Sequence, residues 1–79
     1  MTKSDLTVWV EAALETLHGR ARVTDVAKEI WKAHELDLRA SGDLFYTWQY
    51  DMRWSANVLR RKGVLKPVAA SSAGMWELV

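Results

Sequence analysis

Met52-Arg53-Trp54-Ser55-Ala56-Asn57-Val58-Leu59-Arg60-Arg61-Lys62-Gly63-Val64-Leu65-Lys66, followed after a run of small residues by Gly74-Met75-Trp76-Glu77-Leu78, decides how this chain folds. At helical spacing the first part gathers Met52, Trp54, Ser55, Val58 and Leu59 on one arc. Extended back to Thr47, the same wheel adds Trp48 to that arc, with Asp51 and Lys62 as polar intruders. Gln49, Tyr50, Arg53, Ala56, Asn57, Arg60 and Arg61 fall on the opposite arc. Gly63 is the natural stop, because a helix commonly ends on a residue in the left-handed region. Beyond it, residues 64–68 and 75–79 are β-prone segments flanking residues 69–74, a Ser/Ala/Gly turn. Pro67 has no N–H to give a ladder and belongs on an edge.

Working outward toward the N-terminus, Leu6, Val10, Ala13, Leu14 and Leu17 recur at helical spacing. Ser4 or Asp5 is available as a cap there and Gly19 as a stop. Thr24 can accept a first-turn amide hydrogen bond, and Asp25 suits the positive end of a helix dipole. Val26, Ala27, Ile30, Trp31 and His34 then form the next apolar stripe. Residues 36–45 mix Leu with Asp, Arg, Ser and Gly, and read as a long connection centred on Ser41-Gly42. The order is three helices followed by a two-stranded wing: a mainly α winged helix-turn-helix forming one domain over residues 1–79. Its expected core is Leu6, Val10, Leu14, Leu17, Val26, Ile30, Trp31, Met52, Leu59, Leu65, Trp76 and Leu78.

Composition agrees with one core. The chain has 79 residues, too few for two cores, and its 49% hydrophobic content with five Trp suffices for one. No Cys is present, which excludes disulfides and thiolate metal sites. There is neither a long apolar run nor a basic-then-apolar leader, which points to a soluble, cytoplasmic protein without a membrane partner. Net charge is only +1, but it is unevenly spread. Residues 1–45 carry six Lys/Arg against eight acids, whereas residues 46–79 carry five against two, so the positive surplus lies in the third helix and the wing.

That placement selects the candidate site. Gln49, Arg53, Asn57 and Arg60 follow one another along the outer arc at steps of four, four and three, with Tyr50 beside them. Asn and Gln can make paired hydrogen bonds to adenine edges in the major groove, and Arg to guanine. Arg61, Lys62 and Lys66, where the helix meets the wing, suit phosphates, with Ser71 and Ser72 at the tip. Double-stranded DNA is the expected partner, bound weakly and in a salt-sensitive way because the tip carries no Lys or Arg. Most of the Trp residues are expected to pack in the core, with Trp9 and Trp48, at the margins of their stripes, partly exposed. His18 and His34, read as standing at helix ends, have no acid or Cys at metal-ligand spacing, and no nucleophile triad or phosphate loop is present. Neither a cofactor nor catalysis by these residues is expected.

The apolar-Arg-Trp-small motif at 52–55, Leu59-Arg60-Arg61-Lys62-Gly63-Val64-Leu65 and Gly74-Met75-Trp76-Glu77-Leu78 together resemble the N-terminal winged-helix domain that accompanies Mrr-type restriction endonucleases. The resemblance is good over the last third of the chain and loose over most of the rest. It implies a DNA-binding or DNA-sensing accessory domain of a kind usually joined to a nuclease, here either a stand-alone reader or the targeting part of a larger nuclease. The nuclease pattern itself, an Asp followed by a Glu-x-Lys triplet, does not occur here. Winged helices also serve as protein-interaction or self-associating modules. An exposed patch drawn from Trp9, Phe45, Tyr46 or Trp48 would favour that alternative.

Overall fold

A computed structural model describes residues 3–68 and 74–79. Its elements run α1 (Lys3–Thr16), β1 (Arg20–Arg22), α2 (Val23–Arg39), α3 (Leu44–Arg61) and β2 (Met75–Glu77). The architecture is mainly helical with a small antiparallel sheet, as the sequence pattern implies. Helix α1 makes its most extensive contact with α3, and α2 packs against both.

Burial explains the arrangement. Leu6, Val10 and Leu14 of α1, Val26 and Ile30 of α2, and Met52 and Leu59 of α3 form one cluster with Leu65 and Trp76. Leu17, Trp31 and Leu78, also expected in the core, pack against it while partly exposed. Ala56, placed by the wheel on the outer arc, is fully buried, and Trp54, placed on the core arc, is 40% exposed. The buried stripe of α3 runs through Trp48, Asp51, Met52, Ser55, Ala56 and Leu59, which turns position 54 toward solvent. Ser55 lies at the α1–α3 contact and accepts a hydrogen bond from Thr7 at 3.2 Å. Asp51, buried in the same stripe, accepts one from Thr47 at 2.8 Å.

Helix α2 is longer than its apolar stripe suggests. It continues through Arg39 across a kink at His34, whose φ of −132° is not helical. His34 therefore stands inside a helix, where its ring stacks on Trp9 of α1 at 3.7 Å. Leu38, four residues beyond the kink and in line with Val26 and Ile30, is fully buried. The residues expected as a long connection thus reduce to 40–43. The cap of α2 is Arg22, whose side chain makes no capping hydrogen bond, and Thr24 lies inside the first turn. Ser4 and Asp5 likewise lie inside α1.

Two helix ends show how the chain stops. At α3, Gly63 has φ +77°, Gly63 N–H donates to Arg60 C=O and Val64 N–H donates to Leu59 C=O. This is the paired-bond termination that favours Gly. At α1 the same geometry recurs, with His18 N–H donating to Glu15 C=O and Gly19 N–H to Leu14 C=O. There the left-handed residue that ends the helix is His18, with φ +68°, one position before the glycine read as the stop.

The sheet differs from a hairpin of two equal arms. β2 pairs antiparallel with β1, with Ala21 opposite Trp76, Arg20 opposite Glu77 and Arg22 opposite Met75. The 64–68 arm joins the other edge of β2 through a single bridge, Leu65 to Leu78, and a bond from Lys66 N–H to Glu77 C=O at 2.9 Å. Pro67 follows at once and cannot extend the ladder. The β1 pairing is stabilised by apposing the buried Ala21 and Trp76, while Arg20 and Arg22 stay exposed.

Candidate nucleic-acid interface

The outward face of α3, the N-terminus of α2 and the start of β2 converge on one open groove. It holds about 580 Å³ and is lined by Arg22, Val23, Thr24, Arg53, Asn57, Arg60, Gly74, Met75 and Trp76. Val23 N–H donates to Gly74 C=O at 3.0 Å, which ties the α2 N-terminus to the strand. Arg22 at the cap supplies no side-chain acceptor to the first turn of α2, so beyond the Val23 amide taken by Gly74 the positive end of the helix dipole borders the groove. Three arginines around a helix N-terminus make a place for negative charge.

Each arginine is held differently. Arg22 is tied to Asp25 by an Nε–Oδ2 contact of 3.1 Å, one turn into α2. The Asp25 carboxyl is held below the usual carboxylate range by that hydrogen bond, and the same bond raises the Arg22 guanidinium above its ordinary value. Arg60 Nη1 donates to Asn57 Oδ1 at 2.8 Å, while its Nε is buried without an acceptor among the described residues. Arg53 is exposed and has no ion-pair partner among them.

Of the residues singled out from the sequence, Arg53, Asn57 and Arg60 are brought together here. Tyr50 is 77% exposed and flanks a smaller recess with Asp51, Arg53, Trp54 and Asn57. Arg61 and Lys62 are exposed at the C-terminal end of α3. Lys66 is already engaged, its Nζ lying 3.1 Å from Glu77 Oε1. Gln49 belongs to a different groove, and Ser71 and Ser72 lie outside the described residues. Arg22 and Thr24 were missed by the sequence reading. The trace of Arg22 in the sequence is the basic-apolar-basic alternation Arg20-Ala21-Arg22, which three residues are too few to mark as a strand.

Gln49 lines an apolar groove between α2 and α3 with Ala27, Lys28, Trp31, Phe45 and Trp48, about 440 Å³ in volume. Trp31 stacks on Trp48 at 6.2 Å and approaches Phe45 at 6.3 Å, with the Arg39 guanidinium 5.2 Å above the Trp31 ring. Trp48 itself is only 5% exposed, against the expectation of partial exposure, because the buried stripe of α3 begins with it. Trp9 is half-buried. Among the described residues no group of three or more His, Cys, Asp or Glu could hold a metal ion, and no helix is long and apolar enough to cross a membrane. No family model matches the chain, and neither a curated protein nor a solved structure matches it.

Proposed function

We propose that this chain is a DNA-binding winged-helix module that sets α3 in the major groove and rests its strand side on the sugar-phosphate backbone. The observation that carries this is the convergence of Arg53, Asn57 and Arg60 with Arg22 and the α2 N-terminus on one groove. Base-edge readers and a phosphate-binding corner are what such docking needs side by side. Binding is weak, because Lys66 and Arg22 are both paired with acids of the chain itself. The resemblance to the domains that accompany Mrr-type nucleases adds that the module directs a catalytic partner to DNA.

Fluorescence anisotropy of a labelled generic duplex, titrated at several salt concentrations, tests the proposal. Affinity should fall steeply with salt, and Arg53→Ala should cost about 1–3 kcal/mol of binding. Salt-independent binding, or an Arg53→Ala variant that binds as well as the parent, would refute it. The apolar α2–α3 groove favours a second reading, a protein-interaction module, together with the exposed Leu36, Tyr46 and Tyr50. A partner seated there would be displaced by changes at Phe45 and left alone by changes at Arg53.

A further inference from the structure

We infer that the α3 face is a guanine reader in which Asn57 does not serve adenine, an inference that rests on the DNA-binding proposal. Arginine has no acceptor atom, so the Asn57 atom 2.8 Å from Arg60 Nη1 is its carbonyl oxygen, however the amide is assigned. Reading adenine takes both ends of an asparagine amide, the oxygen accepting from N6 and the nitrogen donating to N7. Here the oxygen faces the Arg60 guanidinium. Although that oxygen keeps a second lone pair, an incoming amino group would meet the positive N–H groups of Arg60 beside it.

What Asn57 presents to a ligand is therefore its NH₂, a donor. Arg53, one turn before it, presents only donors and has no acid to satisfy them among the described residues. Arg60 keeps the donors of Nη2 for a ligand, since Nη1 is engaged with Asn57 and Nε is buried out of reach. From position 53 to position 60 the polar groups that α3 turns toward the groove donate. Among the bases, guanine alone offers paired major-groove acceptors, N7 and O6, with no donor on the same base edge. Adenine and cytosine each place an amino donor there, and thymine a methyl group beside its oxygen. Phosphate oxygens are acceptors too, and the test must separate them from the guanine edge.

Three duplexes of equal length do so: one rich in G·C pairs, one built of A·T pairs, and the G·C duplex with 7-deazaguanine in place of guanine. The last removes the N7 acceptor and leaves every phosphate in place. Anisotropy titrations of the unaltered chain should show the G·C duplex bound about tenfold more tightly than the A·T duplex, with most of that advantage lost on 7-deazaguanine. Arg60→Ala, by releasing the Asn57 oxygen, should narrow the preference or turn it toward A·T. Equal binding of all three duplexes would overturn the guanine assignment and leave a phosphate-only contact, with DNA binding intact. Preference for the A·T duplex by the unaltered chain would overturn it as well. Binding to none of them would end both the inference and the proposal beneath it.

Discussion

Asp25→Asn should raise DNA affinity while lowering stability. The Asp25 carboxylate holds the Arg22 guanidinium at 3.1 Å on the rim of the groove, and both side chains are substantially exposed. Asparagine keeps the shape but releases the cation. If the freed guanidinium takes one more phosphate, the slope of log affinity against log salt steepens by about 0.9. Over a fourfold change in salt, from roughly 200 to 50 mM, that unit is worth about a 3.5-fold gain relative to the parent. Removing an anion beside the α2 N-terminus acts in the same direction on an approaching backbone.

Stability moves the other way. The Asp25 carboxyl is lowered in the folded chain by its bond to Arg22, so its contribution is full above the ordinary carboxylate value and is lost as pH falls through the lowered one. The variant should be less stable than the parent at neutral pH, and the difference should vanish in acid below the folded value. Anisotropy at two salt concentrations reads the affinity, and urea unfolding at two pH values reads the stability. A residue that merely supports the fold would lower both. Affinity that is unchanged or reduced at both salt concentrations, in a variant that still folds, would refute the placement of Arg22 on the DNA-facing rim.

His18→Gly should stabilise the chain by about 0.5–1 kcal/mol, because relief of a left-handed residue is partly offset by the freedom glycine regains when unfolded. A higher urea midpoint at unchanged slope checks it. Leu38→Ala should cost about 2–5 kcal/mol, as a fully buried leucine does, whereas it would cost almost nothing in a solvated connection. Leu59→Ala belongs in the same range and sets the scale in the same denaturant series. Arg61→Ala should weaken binding to all duplexes alike and flatten the salt slope by about one unit, read from anisotropy on several unrelated sequences.

The helices were legible where the apolar spacing is regular. Leu6, Val10 and Leu14, or Met52 and Leu59, repeat at a turn and fall in the core as expected. Leu38 was not, although it follows Val26, Ile30 and His34 at steps of four, because the residues around it mix Leu with Asp, Arg, Ser and Gly and read as a connection. Strand β1 was hidden for a different reason. Three residues between two helices carry too little pattern, and its partner β2 lies more than fifty residues away in the chain. At the candidate site, a wheel of α3 was enough to group Arg53, Asn57 and Arg60. It could not show that Lys66 is bound to Glu77, that Asn57 is turned toward Arg60, or that Gln49 faces the aromatic groove. Each of those depends on a neighbour or a rotamer rather than on an angle around a helix axis.

The central claim is that one face of this small domain meets duplex DNA, and amide chemical shifts followed during a titration with generic duplex at low salt test it most directly. Signals of Arg22, Thr24, Arg53, Asn57, Arg60 and Gly74 should move together, with Tyr50 and Arg61 at the margins and α1 quiet. The shifts should reverse when salt is raised. If those signals stay in place, or if movement is confined to Ala27, Trp31, Phe45 and Gln49 around the aromatic groove, the DNA interface is contradicted and the protein-interaction reading takes its place.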